Sequence, residues 1–278
     1  MEMSVFAVVL FAALLHAGWN AIVKGAGSPL FTTVLVTASA AAIAALSLPF
    51  LPRPAPESWP FIASSTLFQI GYFVLVARAY HIADMSLTYP LMRGTAPLLV
   101  AVACVAWLGD FLSAHAWLGI GVICAGVLGM TGAITRGSNR AGVLLALGNA
   151  VVIAGYTLID GVGVRGSGAP AAYTLWIFLL TGVALAAWAL AVRRDAFRGY
   201  IRRNWRSGLI GGVGTLGSYG LALWAMTIAP VALVATLRET SILFATAISA
   251  LVLHERVGRA RILCVCIIAS GAVLLRSA

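Results

Sequence analysis

The sequence predicts an all-α integral membrane protein of ten transmembrane helices arranged as two inverted five-helix repeats. Three observations predict it. Of 278 residues, 62% are hydrophobic and only 9% charged, whereas a soluble domain is about half apolar and a quarter charged. The apolar residues fall into ten runs, each close to the roughly 20 residues that a spanning helix needs. Two charged motifs recur inside those runs at a spacing of 145 residues. With a mean hydropathy of +1.01, the chain lacks the charged shell of a soluble enzyme. A disordered tail and a secreted disulfide scaffold are excluded on the same ground.

The spans follow in chain order, cut by glycine and proline breakers. Span 1 (3–23) follows Met1-Glu2-Met3, which has no basic region, so it reads as a retained helix rather than a cleaved signal. Gly25-Ala26-Gly27-Ser28-Pro29 separates it from span 2 (29–50), and Pro52-Arg53-Pro54-Ala55-Pro56 closes that span. Span 3 covers 59–79. Span 4 (85–108) contains Pro90 and Pro97, which remove backbone bonds and predict a kink. Spans 5 and 6 cover 113–133 and 141–160. Gly166-Ser167-Gly168-Ala169-Pro170 precedes span 7 (170–192). Span 8 (207–227) carries Gly208, Gly211, Gly212, Gly214, Gly217 and Gly220, the composition of a close-packing or sliding face. Spans 9 and 10 cover 230–253 and 260–276. A membrane barrel would show short alternating segments; these runs are longer and uniformly apolar, and helices satisfy their own backbone in lipid.

The net charge is +10 and the pI near 10.2. The basic residues lie between apolar runs, so they point to topology and lipid headgroups rather than nucleic acid. Of the 18 Lys and Arg, 13 fall in connections 1–2, 3–4, 5–6, 7–8 and 9–10, and six of these, Arg193 to Arg206, crowd connection 7–8. Only Arg53, Arg165 and Arg276 lie on the other side. Positive residues stay cytoplasmic, so a multi-pass protein of the cell (inner) membrane with both termini outside is expected. Asp84, near Arg78 and His81, reads as part of a loop ion pair.

Arg93-Gly94-Thr95 and Arg238-Glu239-Thr240 stand 145 apart, as do Asp110 and Glu255, and Gly126 and Gly271. Gly18-Trp19 lies on Gly155-Tyr156 and Tyr72 near Tyr219, with small register shifts. Residues 1–137 therefore read as one five-helix unit and 138–278 as a second. Five is odd, so the second unit enters the membrane from the opposite side. Such inverted repeats place a substrate site near the midplane between the halves.

A charge near the bilayer centre costs at least about 2.5–3.5 kcal/mol. Arg93 in span 4 and Arg238 and Glu239 in span 9 therefore need partners or a wet cavity. Two readings of Arg93 stand side by side: it attracts an anionic substrate group, or it pairs with Glu239 or backbone carbonyls and locks the halves together. Arg238 and Glu239 are adjacent and point about 100° apart, so each has a different partner; Arg238 reads equally as a substrate ligand or a structural mate. Tyr89 shares the helix face of Arg93, with Ser86 near the same stripe. His16, Trp19 and Asn20 form a polar–aromatic stripe, either a cavity wall or an interhelical hydrogen-bond cluster. His16 and Glu239 are the proton-coupling candidates. Lys24 is an interfacial snorkel. Gln69, Tyr72, Tyr156, Tyr219 and Trp224 either line the cavity or pack at interfaces. Asp160, at the end of span 6, caps or pairs.

Cys104, Cys124, Cys264 and Cys266 lie in apolar runs with no C-x-x-C pair and read as small buried hydrophobes. His16, His81, His115 and His254 are scattered, with no H-E-x-x-H, G-x-S-x-G or Walker A sequence. No metal, cofactor, catalytic residue or ATP-driven step is expected.

Two segments carry a family resemblance. Ala79-Tyr80-His81-Ile82-Ala83-Asp84-Met85-Ser86-Leu87-Thr88-Tyr89-Pro90, Arg93-Gly94-Thr95-Ala96-Pro97-Leu98-Leu99 and Leu108-Gly109-Asp110 resemble an EamA repeat. The second copy runs through Ala225-Met226-Thr227-Ile228-Ala229-Pro230-Val231-Ala232 and Arg238-Glu239-Thr240-Ser241 to Leu253-His254-Glu255-Arg256. This resemblance, to the drug/metabolite transporter superfamily, covers essentially the whole chain. It implies a ten-helix bundle and proton-coupled or exchange movement of small metabolites, often efflux. Leu15-His16-Ala17-Gly18-Trp19-Asn20 with Lys24 is similar to the first helix of small multidrug resistance transporters, with His16 in place of their membrane glutamate. Asp110 stands where the first copy usually has glutamate.

The expected function is secondary transport of a small polar or zwitterionic metabolite by alternating access, with membrane lipids as surroundings. The alternatives from other classes are a lipid-headgroup flippase component, a membrane-embedded lipid-modifying enzyme, and a non-transporting sensor or assembly partner.

Overall fold

The computed structural model describes residues 1–82, 85–131, 140–252, 254 and 257–277, without the side chains of 77, 80, 85 and 86. The expectations for Asp84, Arg136, Glu255, Arg256 and the Ser86 side chain fall outside the described residues. Among the described residues the protein is all helical: α1 (Met3–Lys24), α2 (Pro29–Ser47), α3 (Trp59–Ile82), α4 (Met85–Trp107), α5 (Ala114–Gly129), α6 (Arg140–Gly166), α7 (Pro170–Val192), α8 (Arg194–Met226), α9 (Val231–Leu237), α10 (Ser241–Leu251) and α11 (Arg259–Arg276). A 3₁₀ turn, Arg238–Thr240, joins α9 to α10.

Eight of the ten expected spans are long and apolar enough to cross a membrane, taking 231–251 as one. The other two are α5, with 16 residues, and α11, whose 18 residues include Arg259, Arg261 and Arg276. Helix starts follow the breakers. Ser28 caps α2, its hydroxyl accepting from the Phe31 N–H at 3.5 Å, and Pro29 occupies the first turn, where its missing N–H costs nothing.

Two expectations are corrected. The arginine-rich connection 7–8 is not a loop: α8 starts at Arg194. Arginine is a good helix former, and Phe197 is buried beside Phe31, their ring centroids 5.7 Å apart, which ties the extension to α2. At 33 residues α8 is about 50 Å long, well beyond the roughly 30 Å hydrocarbon core. Span 6 continues to Gly166, so Asp160 is interior to it. α4 is helical through Pro90 and Pro97; neighbouring helices support a proline-containing span in lipid. Span 9 is interrupted at Arg238–Thr240. There the Thr236 hydroxyl donates to the Ala232 carbonyl at 2.8 Å and the Thr240 hydroxyl to the Leu237 carbonyl at 2.6 Å, side-chain bonds that compete with the helical ladder.

The packing partners position the centre. α1 lies against α8 and α10, α6 against α3 and α4, α2 against α7 and α8, and α5 against α11. Glycine permits the closest approaches: a side chain at Gly212 of α8 would meet Ser39 Cβ at 2.9 Å and the Ala40 nitrogen at 3.0 Å on α2.

Candidate functional site

The centre of the bundle holds a cavity of ≈ 10 Å³ between α4, α6 and the α9–turn segment. Its polar lining is Arg93, Tyr156, Thr157, Arg238 and Glu239; Ala96, Pro97, Val100, Ile153 and Ala235 supply the apolar wall. Arg93 Nε donates to Glu239 Oε2 at 3.0 Å. Their side chains are 10% and 5% exposed, so the charge-assisted bond is shielded from water and screening. Arg93 Nη2 is also buried and has no acceptor among the described residues.

Arg238 takes a different partner from its neighbour, as the 100° offset requires. Its guanidinium sits over the Tyr219 ring at 5.0 Å, a cation–π contact. Tyr219 belongs to an aromatic ladder: Tyr72 to Tyr156 at 6.3 Å, Tyr156 to Tyr219 at 6.4 Å, then Tyr219 to Phe178 at 5.9 Å between centroids. The structure thus brings together three of the tyrosines picked from separate spans. Tyr72, Tyr89 and Tyr156 all lie within electrostatic reach of Arg93.

The span 1 stripe is nearby. α1 packs against the Arg238–Thr240 turn, with His16 in electrostatic reach of Arg93 and Arg238. His16 and Trp19 meet edge to face at 5.4 Å. Asn20 Nδ2 donates to the His16 carbonyl at 2.7 Å, so this amide serves its own helix. Trp19 Nε1 is buried without an acceptor among the described residues. Trp224 is 38% exposed and absent from the cavity lining. Of its two expected places, that exposure fits the interfacial aromatic. Lys24 is exposed at the end of α1, its Nζ 3.5 Å from Ser249 Oγ.

A second polar cluster was missed. Asp160 is fully buried. Its Oδ2 accepts the Ser65 hydroxyl at 2.8 Å and the Tyr219 hydroxyl, and its Oδ1 accepts the Tyr173 hydroxyl at 3.0 Å. Gln69 Nε2 approaches Ser65 Oγ at 3.4 Å. Close by, Arg165 donates from Nε to the Met226 carbonyl at 2.8 Å and from Nη2 to the Ala229 carbonyl at 3.0 Å, satisfying the open end of α8. Depth counting from the two breaker runs was the available signal. Ser65 follows Pro56, and Asp160 precedes Gly166, by similar short distances, which puts both near one end of the bundle.

No curated protein matches the chain. Among solved structures 28 chains match. One, described only as a crystal structure of a protein, superposes with a TM-score of 0.76 at 20% identity, over 99% of this chain and 96% of that one; at that identity the likeness shows the fold alone. Residues 140–277 match a family model, that of the EamA-like transporter family.

Proposed function

Through residues 140–277 the chain belongs to the EamA-like transporter family of the drug/metabolite transporter superfamily, and on that premise we propose that it is a secondary transporter. It moves a small polar or zwitterionic metabolite across the cell membrane by alternating access, coupled to protons or to exchange. The observation that carries this reading is the buried Arg93–Glu239 pair with its spare guanidinium donor, beside Arg238 and Tyr156. Two guanidiniums face one carboxylate, so the cavity has a positive excess that suits a carboxylate or phosphate group. A zwitterion satisfies both sides: its anionic end competes with Glu239 for Arg93, and its ammonium takes the carboxylate released. Arg93, Arg238 and Glu239 are the binding groups, with Tyr72, Tyr89, Tyr156 and Tyr219 as walls and His16, Trp19 and Asn20 closing the α1 side. A cavity of ≈ 10 Å³ has room for about one water, so the helices must part to admit a metabolite.

That parting follows from inverted repeats, 1–137 and 138–278. The packing supports them. Exchanging α1 with α6, α2 with α7, α3 with α8, α4 with α9–α10 and α5 with α11 turns α1·α8 into α6·α3 and α4·α6 into α1·α10, and maps α2·α7 and α5·α11 onto themselves, all of them packed pairs. Each half then rocks against the other around the site. The arginine-rich start of α8 faces the cytoplasm and both termini face outward.

The test is flux. Proteoliposomes are assayed for uptake of labelled amino acids and small carboxylates, with and without a pH gradient. Wild type is expected to accumulate at least one of them and Arg93→Ala none; wild-type flux in Arg93→Ala would overturn the site.

A further inference from the structure

We propose that Asp160 is the proton-binding group of this transporter, and that protonation there releases a latch between its two halves. The proposal rests on the transport reading above and locates its coupling ion away from His16 and Glu239. Glu239 has Arg93 against it at 3.0 Å, so its charge is already offset. Asp160 has no ion pair among the described residues; its partners are three hydroxyls, from α3, α7 and α8. A carboxylate inside a span with no cation in contact is costly, and the ion it can gain without any rearrangement of backbone is a proton.

The donor count links that proton to the substrate cavity. An ionised carboxylate only accepts, so all three hydroxyls donate. Oδ2 accepts two of them, from Ser65 and Tyr219. When the proton adds to Oδ2, that oxygen becomes a donor and keeps fewer acceptor sites. Either Ser65 or Tyr219 must turn from donor to acceptor or leave. Tyr219 carries Arg238 on its ring at 5.0 Å, and Arg238 lines the cavity beside Glu239. Ser65 belongs to residues 1–137, whereas Asp160, Tyr173 and Tyr219 belong to 138–278. Losing either bond therefore loosens the contact between halves or the seat of Arg238.

The surroundings contain few other titrating groups. From α3 the cluster meets Ser65 and Gln69, from α7 Tyr173, from α8 Tyr219, and from its own helix Tyr156 one turn away and Arg165, whose guanidinium is held by the Met226 and Ala229 carbonyls. Arg238 on the turn acts on it through space, and α9 contributes the apolar Val231, which lies against Gly161. Arg93 on α4 stands beyond Tyr156, across the cavity.

Infrared pH-difference spectroscopy of the reconstituted protein tests this with the proton as sole ligand. The reading is the carbonyl stretch of a protonated carboxyl between neutral and mildly acidic buffer. A band is expected in wild type, lost in Asp160→Asn, kept in Glu239→Gln, and moved in frequency in Tyr219→Phe. The last variant retains the carboxylate and changes only its hydrogen bonding, so the test survives a folding failure of Asp160→Asn. No band in wild type, a band surviving in Asp160→Asn, or one unmoved in Tyr219→Phe overturns the proposal. Flux separates it from the transport reading. Asp160→Asn is expected to keep substrate exchange and lose all acceleration by a pH gradient. Retained acceleration overturns the proton site and leaves transport standing. A wild type that moves no metabolite yet shows the band overturns transport and leaves the proton site standing.

Discussion

Arg93 on α4 and Glu239 on the turn between α9 and α10 are joined by a buried ion pair of 3.0 Å across 146 positions of sequence. Each stands in a span where charge is expensive, and each makes the other tolerable. The pair also ties together two of the three segments that line the cavity. Pairing and ligand capture, which stood as rival readings of Arg93, become compatible, because Nε makes the pair while Nη2 remains without an acceptor among the described residues.

Removing one partner leaves the other charged and unpaired in a dry interior, which costs about 3–5 kcal/mol, whereas apolar replacement of both is often near neutral. Glu239→Ala is therefore expected to lower the thermal unfolding midpoint in detergent sharply. Arg93→Met combined with Glu239→Leu is expected to recover most of that loss while transport stays absent. A double variant as unstable as Glu239→Ala would show that the pair holds nothing together.

Helix glycines divide by what faces them. At Gly212 an added Cβ meets Ser39 Cβ at 2.9 Å and the Ala40 nitrogen at 3.0 Å, and backbone cannot step aside. Gly212→Val is expected to cost about 1–3 kcal/mol, as overpacking does. Gly148 on α6 is exposed, with nothing within 4 Å of an added Cβ. Gly148→Ala should raise stability by up to about 1 kcal/mol through helix propensity alone. Thermal melts of the two variants in one detergent check the sign difference.

Most of the architecture was legible because lipid enforces it. Run length and breakers located the apolar body of each span among the described residues, and the rarity of charge singled out Arg93, Arg238 and Glu239. Two kinds of feature were not legible. The interruption of span 9 at Arg238–Thr240 falls in a stretch with no proline or glycine to announce it. The Asp160 cluster joins residues from four helices. Hydrophobicity counting ended span 6 at its only acid, and so placed at the membrane edge a group that lies inside.

The arginine distribution makes the proposed orientation testable. Arg203 is exposed on the part of α8 that projects beyond the spans, and Glu57 is exposed between α2 and α3 at the opposite end. With the exposed Cys266 changed to Ser, Glu57→Cys is expected to react with a membrane-impermeant thiol reagent on intact cells. Arg203→Cys should react only after the membrane is permeabilised. The reverse pattern would place both termini in the cytoplasm.

The α5–α11 contact offers a test of the repeat that needs no substrate. Gly126 and Gly271 stand 145 apart in sequence, yet each lies against the helix that carries the other. A Cβ at Gly126 would meet Ile268 Cγ1 at 2.7 Å and the Cys264 carbonyl oxygen at 3.1 Å; one at Gly271 would meet Ile123 Cγ1 at 2.6 Å and the Gly119 carbonyl oxygen at 3.1 Å. Two units related by a twofold axis through this contact make the two positions physically equivalent. Gly126→Ala and Gly271→Ala should therefore destabilise by similar amounts, each about 1–3 kcal/mol. Because the two sites share one interface, the double variant should depart from additivity. Thermal unfolding of the three variants decides it. A large cost at one glycine and none at the other would mean that the two helices pack without the symmetry, and that the 145-residue spacing is only a likeness between apolar segments.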